Sequence, residues 1–179
     1  MSKLTVKDIT KIALFTALIA VGAFIKIQIF TVPYTLQILF VLLSGQVLGA
    51  RNGALSVILY IALGLIGIPI FAQGGGIGYV LNPTFGYIIG FIFASLFIGK
   101  FASPDKKVPI AKKIGINIIG ILIVYLIGVP YLFAILSLVI GKAVTVNYVL
   151  WYGCALFLPS DLFHSVFSAF LSDKLNKVI

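Results

Sequence analysis

Apolar residues fill the chain in six long blocks, and the charged and turn-forming residues collect in the short stretches between them. A helix needs about 17–25 mostly apolar residues to cross the hydrocarbon core of a bilayer. Blocks of roughly that length predict spans near residues 9–26, 34–50, 53–71, 83–101, 113–139 and 146–172, the second being short. The fifth is long and interrupted by Gly128-Val129-Pro130, and the sixth carries Pro159. Proline removes a backbone donor and kinks a helix, and in a bundle the neighbours satisfy the freed carbonyls. A break at Pro130 would give seven spans, but each half would be too short to cross comfortably, so six is the reading adopted. Lys3, Lys7 and Lys11 ahead of the apolar run 12–25 mimic a signal peptide. No convincing small-residue cleavage site follows, so a first span is expected there.

The pattern thus predicts an all-α, polytopic membrane protein of six transmembrane helices, a single domain over residues 1–179. Composition strengthens this: 61% of residues are hydrophobic, 9% are charged, and mean hydropathy is +1.22. Soluble domains run near a quarter charged, because a water-facing surface needs ionic side chains. Charge placement adds orientation. With six spans, Lys3, Lys7, Lys11, Arg51, Lys100, Lys106, Lys107, Lys112, Lys113, Lys174 and Lys177 fall on one side, and only Lys26 and Lys142 on the other. The cation-rich side is cytoplasmic by the positive-inside rule, which puts both termini in the cytoplasm. The same placement accounts for the net charge of +9. A nucleic-acid footprint is not expected, because the cations form no patch interleaved with aromatics.

Candidate chemistry is sparse. With one His, one Cys, four Asp and no Glu, there is no disulfide framework, no CxxC or HExxH metal site and no pair of catalytic carboxylates. Ser160, Asp161, His164 and Ser165 crowd one helical turn, whereas a catalytic triad needs groups that converge from different places. An enzyme is not expected. On a helix of 100° per residue, Asp161, His164, Ser165, Ser168 and Ser172 share one face, and Leu162, Phe163, Val166, Phe167 and Phe170 take the other. An ionisable group at membrane depth costs at least a few kcal/mol, so Asp161 reads as a ligand contact, with helix capping or pairing to His164 as the structural alternative.

Two further features stand out. In the first span, Thr10, Ala13, Thr16, Ala17 and Ala20 share a face centred on Ala13-x-x-x-Ala17, a small-residue surface that suits another helix, inside the bundle or on a partner. The connection from Phe71 to Asn82 is uncharged and glycine-rich, and it lacks phosphate-loop spacing. It reads as a lid or pocket rim, or else as a plain connection. Asn82-Pro83-Thr84 then looks like a helix start whose free N–H groups suit a carbonyl or carboxylate.

Four strings in order, Val32-Pro33-Tyr34-Thr35-Leu36-Gln37, the Gly-rich loop, Pro83-Thr84-Phe85-Gly86-Tyr87-Ile88-Ile89-Gly90-Phe91 and Leu158-Pro159-Ser160-Asp161, together resemble BioY. These are the biotin-binding membrane subunits of energy-coupling factor transporters. The resemblance covers nearly the whole chain. It implies a six-helix subunit that captures biotin from outside, together with a transmembrane coupling subunit and two cytoplasmic ATPases. It implies that Ala13 and Ala17 meet the coupling subunit. The family's Pro-Gly-Asp followed three residues later by Lys is matched only in part, Ser160 standing for the glycine and His164 for the lysine.

Biotin's chemistry fits the residues at hand. Asp161 can accept from the ureido N–H groups, and Asn82 or Gln37 can serve the ureido carbonyl. Tyr87, Phe85 and Trp151 can line the apolar part, as pockets of this kind set few polar groups among aromatics. A protonated His164, or the helix start at Asn82 and Thr84, can meet the carboxylate. No resident cofactor is implied. With no phosphate loop and no chain of buried carboxylates, the chain is expected to bind biotin without ATP and to accumulate it poorly alone. The rival readings are a subunit of the same architecture for thiamine or riboflavin, and a membrane scaffold whose polar stripe only packs helices.

Overall fold

The computed structural model describes residues 4–28 and 32–177; Lys3 of the orientation count lies outside them. The described residues are all-α apart from one hairpin of two-residue strands and an isolated bridge between Phe71 and Gly74. Helix α1 (Val6–Phe24) opens on a capping box in which Thr5 Oγ1 accepts from Asp8 N and Asp8 accepts from Thr5 N. Asp8 also accepts from Asn52 Nδ2 at 2.9 Å, which ties this end of α1 to the middle of the next helix. Strands β1 (Lys26–Ile27) and β2 (Tyr34–Thr35) pair antiparallel and turn the chain back.

Helix α2 (Gln37–Leu65) takes in most of the two predicted blocks 34–50 and 53–71. At Gly49 the backbone leaves helical geometry, with φ 76°, a conformation that glycine adopts without a Cβ penalty, and the run becomes two segments. The second block was expected to reach residue 71, but α2 stops at Leu65. The Ile66-Gly67-Ile68-Pro69 run that follows cannot extend it, and residues 66–71 belong to the connection. Helix α3 spans Phe85–Ala102 and α4 spans Ile110–Ala134. Pro130 does not break α4, which runs through it and ends in a π turn at Ile135–Val139. A short α5 (Val146–Leu150) and a second π turn (Trp151–Ala155) lead into α6 (Leu158–Leu175), where Pro159 sits in the first turn. At that position the missing N–H costs nothing.

Among the described residues, four helical stretches are long and apolar enough to cross a membrane by themselves: Gln37–Leu65, Phe85–Ala102, Ile110–Val139 and Val146–Leu175. In α1 the charges of Lys7, Asp8 and Lys11 shorten the apolar run. Large apolar side chains cover the outside, among them Leu126 at 75% and Phe163 at 65% exposure, while the interior holds a polar seam. That inversion belongs to a protein solvated by lipid.

One end of the bundle gathers the hairpin, the connection 66–84, the start of α3, the end of α4 and the start of α6. The other gathers the start of α1, the Gly49 bend, the loop 103–109 and the end of α6, held there by the buried Lys113 side chain, which donates to Asp173.

Candidate functional site

At the first of these ends a partly enclosed cavity of about 80 Å³ lies between the hairpin, the connection and four helices. The hairpin supplies Val32, Pro33 and Thr35, and the connection supplies Ala72 and Tyr79. Gln37 and Ile38 come from α2, Thr84, Tyr87, Ile88 and Phe91 from the start of α3, Val124 and Tyr125 from α4, and Phe157 and Asp161 from the start of α6. Apolar and aromatic groups dominate, with a few polar groups converging, the composition of a small-molecule pocket.

Asp161 is the single carboxylate in this lining, and its side chain is 14% exposed. It reaches the cavity because α6 restarts at Leu158, which puts position 161 in the first turn, where the N-terminal end of the helix dipole favours an anion. Tyr125 Oη donates to Asp161 Oδ2. His164 Nδ1 lies 3.8 Å from Asp161 Oδ1, too far for a hydrogen bond, and is buried without a partner. His164 does not line the cavity; it stands behind Asp161.

On the opposite wall, Gln37 Nε2 donates to Tyr60 Oη at 2.8 Å, and Tyr60 Oη donates to Ile70 O at 3.2 Å. The Gln37 amide oxygen is approached by Thr35 Oγ1 at 3.3 Å. Tyr87 is fixed by a 2.8 Å bond from its hydroxyl to Gly153 O. Its ring lies so close to α4 that a Cβ at Gly128 would fall 2.4 Å from Tyr87 Cδ1, so the backbone approach requires glycine there. Tyr34 stacks on Phe157 with centroids 4.3 Å apart and donates to Leu156 O at 2.7 Å.

Of the residues singled out from sequence, Asp161, Gln37, Tyr87 and Thr84 meet in this cavity. Asn82 does not line it. Its Oδ1 accepts from Thr84 N at 2.9 Å and Thr84 Oγ1 at 2.8 Å, and its Nδ2 donates to Gln73 Oε1 at 2.8 Å, so it organises the start of α3. Trp151, offered as an apolar wall, is instead 59% exposed, because the π turn rotates it away from the bundle; Phe85 is buried but outside the lining. In α1 the small-residue face divides: Thr16 and Ala20 are buried, and Thr10, Ala13 and Ala17 are exposed. Sequence reasoning gave no site role to Tyr125 or Phe157, both of which line the cavity. The available signal was the hydroxyl of Tyr125 inside an apolar run, since a buried tyrosine needs a partner for its hydroxyl.

The connection that rims the cavity is anchored to the hairpin. Lys26 Nζ donates to Ala72 O, and Gln73 Nε2 donates to Gln28 Oε1 at 3.2 Å. Two bends at Gly74 (φ 122°) and Gly76 (φ 95°) lead into the 3₁₀ turn Ile77–Leu81, which drops Tyr79 into the interior to meet Thr84 Oγ1 at 3.1 Å.

The profile of the BioY family matches residues 1–179. The chain belongs to the BioY family. It is 47% identical over 175 residues to a probable biotin transporter BioY of Lysinibacillus sphaericus, covering 96% of this chain and 87% of that one. It is 38% identical over 176 residues to the biotin transporter BioY of Thermotoga maritima, covering 96% and 97%. A crystal structure described as the S-component for biotin from an ECF-type ABC transporter superposes with a TM-score of 0.81 at 26% identity, covering 98% of this BioY-family chain and 95% of its counterpart. The chain is thus a multi-pass membrane transporter component and not an enzyme.

Proposed function

We propose that the chain binds biotin in the cavity around Asp161 and serves as the substrate-capture component of an energy-coupling factor transporter. The observation that carries this is one carboxylate set among aromatic walls, with Gln37 facing it from α2. Asp161 accepts the ureido N–H groups and Gln37 serves the ureido carbonyl. Tyr87 and Phe157 cover the thioether ring. Thr84, at the N-cap of α3, is the near polar group for the carboxylate tail. Asn82 and His164 support these contacts from behind. A space of about 80 Å³ is small beside the roughly 300–1,000 Å³ of ligand pockets, so the hairpin and the connection must part to admit biotin.

The chain crosses the membrane six times, the two segments of α2 counting separately, with both termini in the cytoplasm and the cavity toward the outside. The exposed Ala13 and Ala17 meet the transmembrane coupling subunit, which carries two cytoplasmic ATPases. The test is titration of the purified chain with labelled biotin in the absence of nucleotide. Saturable binding is expected, and Asp161→Asn should weaken it at least about tenfold, the loss of one charge-assisted pair. Unchanged affinity in that variant would refute the assignment.

A further inference from the structure

The end of the bundle away from the cavity carries a groove of about 440 Å³ between the loop 103–109, the start of α4 and the end of α6. Four lysines line it, Lys106, Lys107, Lys113 and Lys177, against one carboxylate, Asp173. Lys113, whose side chain is 4% exposed, already engages Asp173 and also donates to Ser172 Oγ at 3.2 Å. Of the remaining three lysines, Lys106 donates to Lys100 O, and none has a free acid among the lining residues of the groove. The start of α4 sharpens the imbalance. It has no side-chain cap and no acidic residue in its first turn, and Lys112 and Lys113 stand there instead, against the helix dipole. Helix α1 makes the opposite choice with Thr5 and Asp8. On the outer walls of the helices that end here, Phe101 and Phe170 are exposed, so the groove sits where the lipid-facing surface gives way to a polar rim.

We propose that this groove holds the phosphate of an anionic phospholipid headgroup, with the acyl chains lying along the apolar outer faces of α3 and α6. The proposal rests on the membrane character of the chain and not on the biotin assignment. Basic recesses between helices at the membrane surface suit such headgroups, and each basic residue near an anionic leaflet is worth about fivefold in affinity.

The experiment is native mass spectrometry of the delipidated chain, titrated with dioleoyl phosphatidylglycerol or dioleoyl phosphatidylcholine. Phosphatidylglycerol should bind at least about tenfold more tightly. Lys106→Gln, Lys107→Gln and Lys177→Gln together should reduce that preference to under about twofold, and the three corresponding Lys→Arg changes should retain it. If the combined Gln variant fails to fold, Lys107→Gln and Lys177→Gln alone should each lower the preference several-fold. A wild-type chain with no preference overturns the proposal, as does a preference that survives the Gln changes. Displacement of phosphatidylglycerol by an equal concentration of inorganic phosphate also overturns it, and would identify a free-phosphate site.

Discussion

Tyr125→Phe is the sharpest test of the cavity, because it removes one hydroxyl and leaves the ring, the helix and the apolar walls unchanged. Tyr125 is 7% exposed, and its hydroxyl donates to Asp161 Oδ2. An ionised carboxylate has about four acceptor positions, so the tyrosine occupies one and fixes the rotation of the group. Oδ1 has His164 Nδ1 at 3.8 Å and no closer donor from that ring, which leaves it to accept from a ligand. Two effects then compete. Freeing Oδ2 opens a position for ligand N–H groups, while losing a hydrogen bond to a charged acceptor costs about 1.5–3 kcal/mol. The second wins, because a loose carboxylate must be ordered again on binding. Labelled-biotin titration should show affinity falling between about ten- and a hundredfold, with the double variant Tyr125→Phe/Asp161→Asn little worse than Asp161→Asn alone. Affinity within about twofold of wild type in Tyr125→Phe, beside a large loss in Asp161→Asn, would show that the tyrosine does not orient the carboxylate.

Other substitutions test the surroundings. Gly128→Val places a Cβ 2.4 Å from the Tyr87 ring and should destabilise the fold by about 1–3 kcal/mol while weakening biotin binding; Gly115→Ala on the same helix, with nothing within 4 Å, should do neither. Asn117→Ala removes bonds to Gln46, Ser165 O and Ser168 and should cost about 2 kcal/mol, three bonds at the modest value of side-chain bonds within membranes, read by denaturation in detergent micelles. The backbone N–H of Thr5 first, then its hydroxyl, hold the Asp8 carboxyl below its ordinary 3.8. Its contribution to the α1 start is therefore present above that value and disappears as pH falls through the lower folded pKa, and carboxyl NMR titration in wild type and Thr5→Ala should show it.

Periodicity made the inner and outer faces of the last helix readable in advance. Leu162, Phe163, Val166, Phe167 and Phe170 are all exposed, and His164, Ser165, Ser168 and Ser172 are all at most 5% exposed. In α1 the small residues from Thr10 to Ala20 cover a wider arc, and the bundle boundary cuts through it, so periodicity alone left open which of them face inward. Blocks of apolar residues located the helices, but composition could not show that the segments before and after Gly49 follow one another with no loop between them, which depends on a single φ. The partners of Asp161 were hidden for a different reason. A helical period says which way a side chain points but not its height relative to a neighbouring helix, and Tyr125 meets Asp161 only through the vertical register of α4 against α6. Asn82 was legible as a helix start and not as a residue whose side chain bonds Gln73 and Thr84 in place of a ligand.

The register of α6 connects the two ends of the molecule. Its inner face begins at the cavity with Asp161 and continues past His164. Ser165 O and Ser168 Oγ then bond Asn117 of α4, which in turn holds Gln46 of α2. The face finishes at Ser172 and Asp173, both held by Lys113. Each bond is individually modest in a membrane, but together they prescribe one height for α6 against α4. Rotating α6 by one residue would swing Asp161 about 100° from the cavity and bring Leu162 or Ser160 inward. The serines and the lysine pair thus hold the carboxylate opposite Gln37, so damage at the end of the bundle away from the cavity, in Lys113 or Ser172, should lower biotin affinity without touching the cavity wall. A purely apolar inner face would bury as much surface but leave that height unspecified, which is why α6 keeps polar groups where lipid-soluble helices have little use for them.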